Sequence, residues 1–203
     1  MSAKQRMVRS AAYLFRERGY SGTGFRDVIA HSGAPRGSIY HHFPGGKVQL
    51  AVEAMRYAGD FIAAGTESAI SEDPRAAMHA FIGWWRHVLV RSGFQAGCPI
   101  AAVTIESHEE APQLAEAAAA AFAKWRETLA SGLVSGGCAP ARAATLATLI
   151  VSAVEGATIL CRAAKNTDAL DDVASELEAL VRAALGEPEG TRAEKPATSD
   201  GAA

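Results

Sequence analysis

Apolar residues recur along this chain at helical spacing, and no long polar–apolar alternation marks a strand. Val8, Ala11, Ala12 and Phe15 form an i, i+3, i+4, i+7 stripe that predicts a first helix over 4–18. Arg6, Arg9 and Arg16 lie on its other face, and Gly19 supplies the stop. Thr23, as an N-cap, predicts a short second helix over about 24–31, with Val28 and Ile29 inward. Ser32-Gly33-Ala34 reads as a tight turn. Pro35 then suits the first position of a third helix, where its missing N–H costs nothing. Ile39 and Phe43, four apart, are the buried edge of that helix, and Pro44-Gly45-Gly46 ends it.

The same reading continues to the end of the chain. Long helices are expected from Lys47 to about Gly65 and from Asp73 to about Arg91. The second of these carries the stripe Met78, Phe81, Ile82, Trp85, Val88 and Leu89. A short helix over about 98–107 follows, then helices opening at Pro112 (to about Ser131), Pro140 (to about Lys165) and Asp168 (to about Leu185). The fold class is all-α. The tail, 187–203, is Pro-, Gly-, Glu- and Thr-rich and is expected to be disordered.

Charge changes the picture. The net −2 of the 203 residues hides an asymmetry: residues 1–47 hold eight Lys or Arg against Glu17 and Asp27, so the remainder carries −8. A basic front on an acidic body suggests that only the front meets a polyanion. The first 20 residues hold five Lys or Arg and no apolar core of a signal peptide. The most apolar stretch, Leu146–Leu160, is interrupted by Glu155 and short for a bilayer. A cytoplasmic protein without a membrane contact is expected. Cys98, Cys138 and Cys161 are odd in number and have no metal-like spacing, so they read as small hydrophobes in a reduced compartment.

The segment "GAPRGSIYHHF", 33–43, holds the candidate chemistry of the front. Two short helices joined by a glycine turn, behind a first helix, make a helix-turn-helix. The second helix of such a pair enters the major groove by its N-terminal end. That end is Arg36-Gly37-Ser38. Arg can donate two hydrogen bonds to a guanine edge, Gly37 lets the backbone approach, and Ser38 can bond a base or a phosphate. Tyr40, His41 and His42 follow at the height of the flanking phosphates, and no acid occurs from Val28 to Gln49. A catalytic histidine pair would want an orienting carboxylate. This stretch suits DNA instead, with Ile39 and Phe43 as core.

Residues 23–50 resemble the DNA-binding domain of the TetR family of one-component bacterial repressors. Thr23, Ile29, Ala30, Gly33, Gly37, Tyr40, His42, Phe43, Lys47 and Leu50 can be placed on that family's pattern. The sequence departs from it at Gly24, at Ala34-Pro35 and in the extra residue of Pro44-Gly45-Gly46. These departures, with "GCPIAAVTIE" at 97–106, resemble a subfamily of drug-efflux repressors related to those of lincomycin resistance, some of which answer to planar aromatic compounds such as flavonoids. The resemblance implies a dimeric protein with a helix-turn-helix DNA-binding domain at 1–47 and a ligand-binding and dimerisation domain at 48–186. It implies DNA contacts from Thr23, Arg36, Gly37, Ser38, Tyr40, His41, His42 and Lys47, a palindromic double-stranded operator, and no cofactor.

In the body, Trp85 and Trp125 lie on the inward stripes of their helices. They are either ordinary core or the walls of an inducer cavity, with Trp84, His87 and Phe94 beside them. The alanines of "AEAAAAAFAK", 115–124, fill little volume and leave room for a ligand. Glu155 interrupts the most apolar helix and needs a partner, either a structural hydrogen bond or a ligand. That helix is apolar nearly all round, so a twofold dimer is expected to cover it, with Ala143, Ala147, Gly156 and Ala157 allowing close approach. "ESHEE", 106–110, reads as a solvated surface rather than a metal site. No Ser-His-acid set, Gly-rich phosphate loop or metal cluster supports an enzyme. The functional expectation is a ligand-responsive repressor released by a small hydrophobic or aromatic inducer. The alternative is a helix-turn-helix regulator whose body binds a protein partner or activates transcription.

Overall fold

The computed structural model describes residues 1–186 except 36, 71, 72, 74 and 107–110. Arg36, the tail expected to be disordered at 187–203, and most of "ESHEE" therefore lie outside the described residues. The described residues form helices and no strand: α1 (Ala3–Arg18), α2 (Phe25–Ser32), α3 (Ser38–His42), α4 (Gly46–Glu67), α5 (Ala76–Arg91), α6 (Pro99–Glu106), α7 (Pro112–Ser135), α8 (Pro140–Ala164) and α9 (Asp168–Ala184).

Local chemistry explains most of the boundaries. Ser2 and Gln5 close a capping box at the start of α1: Gln5 N–H donates to Ser2 Oγ at 3.2 Å and Ser2 N–H to Gln5 Oε1 at 2.8 Å. The first residues of α7 and α8 are prolines, where no N–H is needed. Gly33, at φ 63°, takes the left-handed position that ends α2 and turns the chain toward α3.

Two starts differ from the sequence reading. Gly24, not Thr23, caps α2, and its N–H donates to the Asp27 carboxylate at 2.8 Å. Pro35 is not the first residue of α3: its carbonyl accepts from Ser38 N–H at 3.0 Å in a turn that precedes the helix.

One core runs through α1–α9. α4 and α7 pack against each other over the most extensive helix contact among the described residues. A Cβ built on Gly59 of α4 would sit 2.9 Å from the Ala121 Cβ of α7. At Ala121 the alanine run therefore leaves no room, whereas Ala117 and Ala120, nearer the start of α7, line an open groove of about 550 Å³ against α4. Ala117, Ala118 and Ala121 are buried against α4, and their small size is what lets the two helices pack this closely. Trp125, one turn on, is 1% exposed and donates its indole N–H to the Gly59 carbonyl at 3.0 Å.

α8 is long and apolar enough to cross a bilayer, contrary to the sequence reading of that stretch. Here it packs against α5, α7 and α9. Ala143, Ala147 and Ala157 are buried inside the subunit, so they do not line its outer face. That face is instead formed by Leu149, Ile159 and Leu160, which are 42%, 58% and 59% exposed, with Gly156 among them. α9 is held to α5 by ion pairs of Glu178 with Arg75 at 3.1 Å and of Asp171 with Arg86, and by a hydrogen bond between Glu178 and His79 at 2.7 Å.

Candidate functional site

Two regions carry the candidate chemistry, one at the tip of the front helices and one where they meet the body.

At the tip, α3 projects from α1 and α2 with Ile39 and Phe43 buried beneath it. Gly37 and His41 are exposed, and Tyr40 is 69% exposed while its ring meets Phe25 edge-on at 5.4 Å. A Cβ on Gly37 would meet nothing within 4 Å, so the backbone there is open to an incoming surface. Ser38 Oγ donates to the Pro35 carbonyl at 2.7 Å. His42 is half-buried and lies 5.4 Å from His41, ring to ring.

Thr23 and Lys47 sit apart from this cluster. Thr23 is buried, and its hydroxyl donates to the Gly19 carbonyl at 2.9 Å, which ties the α1–α2 turn rather than presenting an oxygen to a partner. Its assignment as a contact residue is thus replaced by a positioning role. The Lys47 ammonium lies 4.2 Å from the centre of the Tyr20 ring. Burial lowers its pKa against the opposing pull of Glu106 and Asp27.

At the junction, a cavity of about 550 Å³ opens between α1, α4, α5 and the segment before α6. Such a volume is in the range of small-molecule sites. Its aromatic wall is Tyr13 of α1, Tyr57 and Phe61 of α4, and Trp84 and Trp85 of α5. Phe61 and Trp84 meet at 5.1 Å, and Trp84 and His87 at 6.2 Å. Charge comes from Arg9, Arg16 and Arg91, with His87 beside them, and among the described residues no Asp or Glu lines the cavity.

The body residues named from the sequence thus separate. Trp84, Trp85 and His87 converge on the cavity. Trp125 is core, enclosed by Phe81, Trp85 and Phe122 at 5.5–6.0 Å. Phe94 closes the turn after α5 at φ 62° and does not line the cavity. Glu155 also lies away from the cavity: its Oε1 is buried without a hydrogen-bond partner, and burial pushes its pKa up to about 7 against a smaller effect from a hydrogen bond with Cys98. Tyr13, Tyr57, Phe61 and the three arginines were missed as cavity residues. They sit on three helices, and no one-dimensional pattern brings them together.

The junction is also tied mechanically. Gly97 N–H, just before α6, donates to the Arg16 carbonyl at 2.8 Å. At the other end of α6, the Glu106 carboxylate accepts from Ser21 N–H at 2.6 Å and Tyr20 N–H at 3.2 Å. Burial works to raise the pKa of Glu106, but these N–H groups and Lys47 outweigh it and the net shift is downward. From the cavity wall, Arg16 lies over the Tyr13 ring at 4.1 Å, and Tyr13 stacks on His31 of α2 at 5.1 Å. His31 in turn meets Ser10 Oγ at 3.0 Å.

Comparison with known proteins agrees with this architecture. Residues 8–54 match the model of the bacterial regulatory proteins of the tetR family. Residues 74–176 match the C-terminal domain of LmrA/YxaF-like transcriptional regulators. An uncharacterised HTH-type transcriptional regulator of Mycobacterium tuberculosis H37Rv is 44% identical over 190 residues, covering 91% of this chain and 96% of its own. The HTH-type transcriptional regulator LmrA of Bacillus subtilis is 30% identical over 182 residues, covering 89% and 97%. Among solved structures, a TetR transcriptional regulator from Chloroflexus aurantiacus superposes with a TM-score of 0.69 at 31% identity, covering 88% of this chain and 93% of that one. One from Legionella pneumophila gives 0.77 at 22% identity, covering 88% and 97%. These relatives are transcriptional regulators, not enzymes. The chain belongs to the TetR family of transcriptional regulators, with a C-terminal domain of the LmrA/YxaF-like kind.

Proposed function

We propose that this protein is a cytoplasmic, ligand-responsive repressor that binds a palindromic operator as a homodimer and is released by a small aromatic inducer. The head, 1–47, reads DNA; the body, 48–186, pairs two subunits and takes the inducer. Arg36, Gly37, Ser38 and Tyr40 meet the major groove and its flanking phosphates, with His41, His42 and Lys47 at the edge.

The observation that carries this reading is the composition of the cavity wall. Arg9, Ala12, Tyr13 and Arg16 of α1 face Tyr57, Phe61, Trp84 and Trp85 of the body across one cavity. A ligand there touches head and body together. Its affinity then differs between arrangements of the two, which is the condition for a ligand to shift a population. Moving a protein from 99:1 to 1:99 takes about 5.5 kcal/mol of differential binding.

A homodimer is supported by the outer face of α8, where Leu149, Ile159 and Leu160 are exposed on one subunit. An apolar face of this kind is costly in water and is covered by a second copy.

The test is selection of the operator from a random duplex pool, followed by gel shifts with and without aromatic compounds. Recovery of an inverted repeat, released by a compound that Phe61→Ala no longer binds, is the expected result. A single half-site bound by a monomer, or release unaffected by cavity substitutions, overturns the reading.

A further inference from the structure

Among the described residues, every charged side chain that lines the junction cavity is cationic. Arg9 and Arg16 come from α1 and Arg91 from α5, with His87 beside them, and among the described residues no carboxylate shares the wall, in a chain whose net charge is −2. Among the described residues, no Asp or Glu pairs with Arg9, Arg16 or Arg91, although Arg18, Arg75, Arg86 and Arg182 each have such a partner. Like charges gathered without counter-charges repel one another, and an anion in their midst removes that cost.

A second observation is independent of charge. Four buried side-chain polar atoms in the described residues lack a hydrogen-bond partner, and two of them, Arg16 Nε and Trp85 Nε1, belong to side chains of this cavity wall. Both are N–H donors. Buried donors without acceptors are uncommon and costly; both atoms lie beneath the cavity surface, so an occupant meets them only as these side chains shift toward it. It must offer acceptors, not donors. The remaining wall, from Tyr13, Tyr57, Phe61 and Trp84, suits a flat ring.

Resting on the cavity assigned above, we infer that the inducer is an aromatic anion: a planar ring system carrying a carboxylate or a group of like charge. Its ring lies among Phe61, Trp84 and Tyr57. Its anionic oxygens accept from the Arg16 guanidinium and, as the buried Trp85 ring turns toward the cavity, from its indole N–H, while Arg9 and Arg91 supply field from either side. An oxygen drawn to Arg16 competes with the stacking of that guanidinium on Tyr13, whose other neighbour is His31 of α2. The charge on the ligand is thus read at the residue nearest the helix-turn-helix.

The test uses the full chain and two probes of one shape, 2-naphthoate and its neutral amide, 2-naphthamide. Binding is followed at neutral pH by tryptophan fluorescence and calorimetry. Naphthoate is expected to bind about ten-fold more tightly or better, since hydrogen bonds to ionised groups are roughly twice as strong as neutral ones. Arg16→Gln and Trp85→Phe should each shrink that gap. Arg91→Gln, at the exposed end of α5, should do so with the thermal melt unchanged, which guards against a folding defect at the buried positions. Equal affinity for the two probes, both lost in Phe61→Ala, overturns the anion and leaves the cavity as the ligand site. A preference for naphthoate that survives all three substitutions also overturns it. No effect of Phe61→Ala, Arg16→Gln or Arg91→Gln on either probe, or no binding of either probe at millimolar concentration, overturns the cavity assignment itself.

Discussion

Glu106, the last residue of α6, accepts a hydrogen bond from the backbone N–H of Ser21 at 2.6 Å. With the Gly97–Arg16 bond at the other end, α6 grips the C-terminal half of α1 and the turn after it. A body helix thereby fixes the orientation of the head. The Glu106 carboxylate also lies directly against the Gly19 backbone, where a side chain would meet it.

Glu106→Ala is expected to cost about 1–2 kcal/mol of stability and to uncouple the two halves. The inducer should bind with near-normal affinity while operator release becomes incomplete. Calorimetric titration beside a gel shift checks both. Because the folded carboxyl has a lowered pKa, its contribution is present above the ordinary value of 4.5 and fades as pH falls through the lowered one.

At the head, Tyr40→Phe should weaken binding to all sequences without changing the salt slope. Lys47→Ala should lower that slope by about one unit. Arg36→Ala should relax preference at one position per half-site, at a cost of about 1–3 kcal/mol. Quantitative footprinting at several salt concentrations distinguishes these outcomes, and wild-type behaviour in all three would remove α3 from the DNA surface.

Ile159→Glu, on the outer face of α8, should yield a folded monomer that binds a half-site weakly. Ala147→Glu, by contrast, puts a charge at a position with no exposure inside the subunit and should unfold the body. Sedimentation velocity with circular dichroism separates a folded monomer from an unfolded chain. An intact dimer in Ile159→Glu would place the interface elsewhere.

Gly59→Ala should destabilise the body by about 1–3 kcal/mol, because the added methyl meets Ala121 across the α4–α7 contact. For a domain of this size that is a fall in Tm of roughly 2–4 °C per kcal/mol in a thermal melt. An unchanged Tm would mean that α4 and α7 separate freely.

Glu155 is expected to make stability depend on pH in the opposite sense to Glu106. Its folded pKa, about 7, lies above the ordinary 4.5, so the native state holds the proton more tightly. The resulting stability is full below about 4.5 and is lost as pH rises through 7. The difference is on the order of 3 kcal/mol. Glu155→Gln should flatten the Tm–pH curve between pH 5 and 8; an unaltered curve would mean the carboxyl reaches water.

Local rules were enough for the helices. Periodicity, prolines at first turns and glycines at ends placed α1, α2, α4 and α7–α9 to within a few residues, because those signals act over one or two turns. The helix-turn-helix was legible for the same reason: its residues lie within one continuous segment, and their types match a known pattern. The sequence leaves Trp125 open as core or cavity wall, and it does not show where along the alanine run α4 closes in, at Ala121, and where a groove stays, at Ala117 and Ala120. A short side chain means empty space only if the neighbouring helix stays at its usual distance, and Gly59 lets α4 move in instead. Which alanines of α8 face inward depends on where α5, α7 and α9 lie, which no helical stripe can show when nearly every position is apolar. The cavity belongs wholly to tertiary structure. Arg9, Arg16 and Arg91 are ordinary basic residues in the sequence, and only the packing of α1 and α5 against α4 brings their charges to one place, with no acid beside them among the described residues.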